Sequence, residues 1–190
     1  MGAKGDETRA RLVRATRDLL EAQGYAATGL NLVLAESGTP RGSLYFHFPE
    51  GKDQLVAQAL TEAGREVGDL IELLQDTRTA GSAQVISALI GLLADRMEQS
   101  DYRKGCPLAT VALEVSASNE PLRRLCADTY AAWQQALAGL LVTEGHSPAR
   151  ADAAAGGVLS LLEGALLLAR VQRSRLPLDQ AARSAELLLA

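Results

Sequence analysis

The sequence predicts an all-α protein of about nine helices, and three observations carry that expectation. Aromatic residues make up only 4% of the 190 residues, while Ala and Leu dominate the later half. Strands favour β-branched and aromatic side chains, so this composition favours packed helices. Apolar residues recur at i, i+3, i+4 spacing through nearly every segment. Between those segments lie helix signals: a Gly after a periodic run, or a hydroxyl residue followed by Pro.

The elements follow in order. Helix 1 is expected over about Glu7–Gln23, with Asp6 or Thr8 as cap and Leu12, Ala15, Thr16, Leu19 and Leu20 on one face. Gly24 reads as its left-handed stop, with Tyr25 closing over the end. Helix 2 follows Thr28-Gly29 and runs to about Glu36, burying Leu30, Val33 and Leu34. Gly38 is the turn. Thr39 then reads as an N-cap and Pro40 as the first residue of helix 3, which must stop near His47 because Pro49 restricts its predecessor. Helix 4 is long, from Lys52 to about Leu74. Helix 5 spans about Ser82–Ser100. Pro107 opens helix 6, which reaches about Ser116, and Asn119-Glu120-Pro121 opens helix 7, ending near Glu144-Gly145. Ser147-Pro148 opens helix 8, which Leu176-Pro177 breaks, and helix 9 covers about Asp179–Leu189.

Composition narrows the classes of function. Two cysteines, Cys106 and Cys126, are too few for a disulfide framework, and nothing near them has metal-ligand spacing. A reduced, cytoplasmic protein without metal or cofactor is expected. No apolar run approaches the roughly 20 residues that span a bilayer, so no membrane partner is expected. The N-terminal Met-Gly-Ala-Lys-Gly-Asp has no apolar stretch of the signal-peptide kind, and Asp6 stands where myristoylation of Gly2 would want Ser or Thr. The net charge is −4. Residues 1–60 hold seven Lys/Arg and seven Asp/Glu, so the remaining twelve and sixteen carry the whole imbalance. A nucleic-acid site in the first third must therefore use a few placed cations. No Cys–His pair at useful spacing and no phosphate loop is present, so no catalytic residues are assigned; a small helical enzyme is the weaker alternative.

Residues 24–52 stand out. Two short helices are joined by a Gly turn, and the second is polar, aromatic and glycine-bearing where a core helix would be Leu and Ala. Gly42 inside a helix of about two turns sacrifices roughly 1 kcal/mol relative to Ala, which makes sense if a DNA strand must approach closely. Arg41, Ser43, Tyr45 and His47 place donors on several sides, while Leu44 and Phe48 are core anchors and Phe46 is ambiguous. Lys52, at the first turn of helix 4, opposes the helix dipole unless an anion such as phosphate sits there too. Taken singly, each residue has a plain structural explanation; together they indicate DNA.

This stretch resembles the Tet repressor family of bacterial regulators. The resemblance rests on Leu12, Ala15, Leu19, Gly24, Tyr25, Thr28, Val33 and Gly38, then Gly42-Ser43-Leu44-Tyr45-Phe46-His47-Phe48, then Lys52 and Leu55. The chain departs from the common pattern at Gly29, Leu32, Leu34 and Thr39-Pro40. With Gly105-Cys106-Pro107-Leu108-Ala109, these departures resemble the LmrA/YxaF subgroup.

The resemblance implies a helix-turn-helix DNA-binding domain over residues 1–50 and a helical effector-binding and dimerisation domain over 51–190. It implies that Thr39, Pro40 and Arg41 face base edges, Arg41 being the best reader because its planar fork suits guanine. Gly42 allows close approach. Thr28, Ser43, Tyr45, His47 and Lys52 would hold phosphates, which set register. The implied function is a regulator, most simply a repressor, that binds a pseudo-palindromic operator as a homodimer and is released by a small hydrophobic effector through helix 4; an activator of the same fold is the alternative.

Secondary features complete the expectations. Arg9, Arg11, Arg14 and Arg17 read as a solvated face, with DNA-backbone contact as the other possibility. His146 reads as a surface loop residue. Ala154, Gly157, Leu161, Leu168, Leu187 and Leu188 of helices 8 and 9 are candidate dimer-interface residues, with ordinary core as the alternative. Candidate lining for an effector pocket is Leu89, Leu93, Met97, Cys106, Thr110, Leu113, Glu114, Tyr130, Trp133 and Glu163. Glu114 and Glu163 are carboxylates on apolar faces that need a partner, either an effector cation or an arginine.

Overall fold

The structure is a computed structural model that describes residues 3–76 and 81–189. Gly2, weighed above for acylation, lies outside the described residues. Among those residues there are nine helices and no strand: α1 (Ala3–Ala27), α2 (Leu30–Ser37), α3 (Arg41–His47), α4 (Lys52–Asp76), α5 (Ser82–Gln99), α6 (Pro107–Val115), α7 (Glu120–Thr143), α8 (Pro148–Gln172) and α9 (Leu176–Leu189). The expected helices are all present. The differences lie at their ends, where local chemistry decides.

Gly24 does not end α1 but kinks it. Its φ of 76° and ψ of −170° break the helix, and one further turn, Tyr25–Ala27, follows. Thr39 is not the cap of α3. Pro40 takes that position in extended conformation (φ −65°, ψ 147°), so α3 begins at Arg41. Thr39 is buried, and its hydroxyl lies 2.7 Å from the Ser37 hydroxyl. Pro177 does not break α8 either. That helix ends at Gln172, with Arg173 as its C-cap at a φ of 46°, and Pro177 sits in the first turn of α9, where a missing N–H is harmless.

The described residues group into two compact units. One holds the chain through Gly64 together with Cys106–Ala127; the other holds Arg65–Gly105 and the chain from Asp128 onward. In the first, α1 is the hub and packs against α2, α3 and α6. Leu12, Leu20, Val33, Leu44, Phe48, Leu55, Leu108 and Val111 fill its core. The Thr16 hydroxyl is buried there and satisfied by the Leu12 carbonyl at 2.8 Å.

In the second unit α8 and α9 pack on each other and on α5, around Val85, Ile86, Leu89, Met97, Val158, Leu162, Ala181 and Ala185. Arg175, just before α9, ties these helices by donating to Asp95 and Glu98 of α5 and to Asp179. Glu144 accepts from both the N–H and the hydroxyl of Ser82 and so caps α5 from the turn that follows α7. One described helix, α8, is long and apolar enough by length and composition to cross a membrane (mean hydropathy 1.6 over an 18-residue stretch), which corrects the expectation that no segment qualifies. Glu163 interrupts the apolar run within that stretch. Such a helix is weak evidence of a membrane span, because core helices have the same character.

Candidate nucleic-acid interface

The first unit builds a two-helix platform around one turn. Gly38 closes α2 in the left-handed region (φ 60°, ψ 31°), which glycine adopts without a Cβ penalty. Arg11 of α1 secures this turn. Its Nε donates to the Ser37 carbonyl at 3.0 Å, and its Nη2 donates to the carbonyls of Ser37 and Gly38 at 2.5 and 2.8 Å. A cation at the carbonyl end of a helix is favoured by both hydrogen bonding and the helix dipole. Arg11 is exposed, as a solvated arginine face requires, yet its guanidinium is committed to clamping this turn.

α3 has only seven residues and is too short to persist alone. Leu44 and Phe48, both essentially fully buried, anchor it, each contributing about 1.5–3 kcal/mol. The Arg9 guanidinium lies over the Phe48 ring, 5.6 Å from its centre. The opposite side of α3 is open. Pro40, Arg41, Gly42, Tyr45 and Phe46 are exposed, and Ser43 and His47 partly so. Phe46 is 72% exposed and meets the His47 ring edge-on at 5.0 Å, which settles its ambiguity as a surface residue. A Cβ built on Gly42 would meet nothing within 4 Å, so no neighbour within the fold requires glycine there.

Two residues expected at the DNA surface lie inside it. Thr28 is 1% exposed and its hydroxyl donates to the Gly24 carbonyl at 2.6 Å. Thr39 is buried against Ser37, as described. Both shape the platform. One residue that sequence reasoning missed joins it: Asn31 of α2 is exposed and accepts from Arg41 Nη2 at 3.0 Å. Its polar side chain in the first turn of α2, between the apolar Leu30 and Leu32, is the signal that could have found it.

Lys52 opens α4, and its ammonium is already engaged. It donates to the Tyr25 carbonyl at 2.7 Å and sits 4.0 Å from the centre of the Tyr25 ring. Burial lowers its pKa, opposed by the nearby Asp53 and Glu114 carboxylates. Two of its three N–H donors remain for other acceptors. Tyr25 is the centre of a wider polar network. Its hydroxyl donates to Asp53, which also accepts from Asn119 at 2.8 Å. Burial, followed by the Asp53 hydrogen bond and charge, pushes the Tyr25 phenol up to about 12.

Glu114 of α6 completes that network. Its carboxylate accepts from the backbone N–H groups of Tyr25 at 3.1 Å and Ala26 at 2.6 Å. Thr110 of the same helix donates to the Leu20 carbonyl at 2.9 Å. Of the ten candidate pocket residues, the structure thus puts Thr110 and Glu114 to work docking α6 on α1, and leaves Leu113 83% exposed. Cys106 is the N-cap of α6. Leu89, Met97 and Trp133 are buried in the second unit, where Leu93, Tyr130 and Glu163 are partly exposed. Tyr130 and Trp133 meet edge to face at 5.5 Å.

A glycine-turned pair of short helices, clamped from α1 and presenting cationic and aromatic side chains outward, defines a helix-turn-helix DNA-binding protein. Residues 12–59 match the description "Bacterial regulatory proteins, tetR family", and residues 82–184 match "Transcriptional regulator LmrA/YxaF-like, C-terminal domain". The chain is 32% identical to the HTH-type regulator YxaF of Bacillus subtilis over 178 residues, covering 94% of this chain and 92% of the relative. It is 34% identical to LmrA of the same organism over 176 residues, covering 90% and 91%. A crystal structure of a TetR regulator from Legionella pneumophila superimposes with a TM-score of 0.86 at 18% identity, covering 98% and 96% of the two chains, and shares the fold. The chain belongs to the TetR family, in its LmrA/YxaF-like branch, and is a helix-turn-helix transcriptional regulator.

Proposed function

We propose that this chain is a dimeric, effector-responsive repressor that reads a pseudo-palindromic operator with α3, Arg41 contacting base edges and Ser43, Tyr45, His47 and Lys52 contacting phosphates. The observation that carries the reading is the open side of α3: an exposed Gly42 that the fold does not need, flanked by exposed Arg41, Tyr45 and Phe46. Repression is the direction favoured by a more distant relative, 27% identical over 173 residues and covering 88% of this chain and 84% of its own length, which is named HTH-type transcriptional repressor DhaR. A regulator acting on bacterial chromosomal DNA works in the cytoplasm and carries out no catalysis.

The dimer surface in this reading is the outer face of α8 with the end of α9. Gly157, Leu161, Gly164, Leu168 and Val171 recur at helical spacing on one side, where Leu168 and Val171 are exposed, and Leu187 and Leu188 of α9 are exposed as well. Gly157 lies beside Leu188. Leu162 and Ala165 face the core instead, so the two faces of α8 serve two purposes. Ala154 is half-buried at the edge of the stripe. An apolar surface of this extent is uncommon on a monomer, and a twofold four-helix contact would cover it.

The effector in this reading is a small apolar compound held in the second unit, among Leu89, Leu93, Met97, Tyr130 and Trp133, with Glu163 as the polar group. Linkage requires effector and operator to weaken each other's binding equally. Footprinting on the DNA upstream of the chain's own gene tests the whole proposal. A protected pseudo-palindrome, lost on adding a compound that raises the melting temperature, supports it; no protection at moderate salt would refute it.

A further inference from the structure

The DNA site contains a residue that the reading above leaves without a role. Asn31, the second residue of α2, and Arg41, the first of α3, are both exposed, yet the Arg41 guanidinium donates to the Asn31 carboxamide oxygen at 3.0 Å across the turn. The facing atom must be the amide oxygen, because a guanidinium offers only donors. A long exposed arginine normally samples many rotamers and must give up that freedom when it binds. An anchor at one edge of the fork removes part of that loss beforehand. It also leaves the other N–H groups of the planar guanidinium for a bidentate approach to the two acceptors of guanine, N7 and O6. The backbone supports the same arrangement: Pro40 holds φ at −65° immediately before Arg41, and Arg11 clamps the intervening turn from the carbonyls of Ser37 and Gly38.

We propose that Asn31 is a specificity-determining positioning residue: it presets Arg41 for guanine, so that α2 and α3 read the base as one unit. This rests on the assignment of Arg41 as base reader. Asn31 acts through the arginine. Removing the amide therefore lowers discrimination at the base that Arg41 reads, and leaves the phosphate contacts and the fold unchanged. Aspartate at position 31 keeps an acceptor for the guanidinium. It preserves the preference for guanine, while its negative charge lowers affinity for every sequence alike.

The test uses the full-length protein and a DNA sequence selected by the wild type from a randomised pool. Affinity is measured for that sequence and for versions in which each guanine is replaced in turn, with thermal melts as a check on folding. Asn31→Ala should melt like the wild type and lose about tenfold of its discrimination at one guanine of each half-site. Asn31→Asp should retain that discrimination with weaker binding throughout, and Asn31→Ala/Arg41→Ala should bind like Arg41→Ala alone. Unchanged base preference in Asn31→Ala overturns the inference. So do additive losses in the double variant, which would place Asn31 on the DNA in its own right. If Arg41→Ala keeps the wild-type preference, the assignment of Arg41 fails as well, a result that Asn31→Ala by itself cannot give.

Discussion

Glu114 and Gly24, ninety positions apart in sequence, occupy one site. The helix α1 breaks at Gly24, and the Glu114 carboxylate of α6 accepts from the two backbone N–H groups that follow the break. A Cβ on Gly24 would overlap the Glu114 Oε1, and the φ of 76° is one that residues with a side chain rarely adopt. Gly24 thus serves twice, allowing the kink and leaving room for the carboxylate that caps it.

Gly24→Ala should therefore destabilise the protein by about 2–3 kcal/mol, combining backbone strain with displacement of the carboxylate. Glu114→Ala, at a more solvated site, should cost about 1 kcal/mol. Because the overlap disappears once Glu114 is gone, the double variant should lose less than the sum of the two. Denaturant melts of the four proteins check this, and strict additivity would contradict the shared site.

Arg11 offers a sharper distinction. As a clamp on the turn carbonyls it should weaken operator binding when changed to Met, by about 1–2 kcal/mol, through a poorly placed α3. The slope of log affinity against log salt should stay as in the wild type. A phosphate-contacting arginine would instead lower that slope by about one. Titrations of Arg11→Met at three or four salt concentrations decide between the two.

Gly42→Ala separates the needs of the fold from those of the DNA. With open space where a Cβ would go, alanine should leave the fold intact or stabilise α3 by up to about 1 kcal/mol. Operator affinity should nevertheless fall. A variant that melts higher and binds DNA as well as the wild type would remove close approach as the reason for this glycine.

The contrast between Gly42 and Arg11 shows what the sequence makes legible. The helices, the Gly38 turn and the composition of α3 follow from local patterns: apolar spacing, a left-handed glycine, and a short helix rich in donors. Arg11 and Glu114 did not follow, because their partners are backbone groups 26 to 89 residues away, and no spacing rule indicates that a charged side chain will find a distant carbonyl or N–H. Glu114 read as a pocket carboxylate for the same reason. Thr28 and Thr39 are legible as hydroxyls flanking the two ends of α2. Their burial, Thr28 against the Gly24 carbonyl and Thr39 against Ser37, is a property of the packed unit. On α8, extending the 157–161–168 spacing reaches Gly164 and Val171, which are exposed as Leu168 is.

The exposed stripe of α8 predicts a second kind of variant. Leu168→Glu with Val171→Glu should convert a dimer to a monomer in sedimentation measurements while leaving helicity unchanged, because both side chains are already outside the core of the unit. Operator affinity should drop at least a hundredfold as the two half-sites lose their connection. A double variant that remains dimeric would move the interface elsewhere.

The proposed reading of sequence by α3 rests on Arg41. Its most direct test is the affinity of wild type and Arg41→Ala for the protein's own upstream DNA and for scrambled DNA of equal length, at one fixed salt concentration. The wild type should prefer its own DNA by at least a hundredfold, and Arg41→Ala should bind both fragments with the same weak affinity. A preference that survives in Arg41→Ala would contradict that reading.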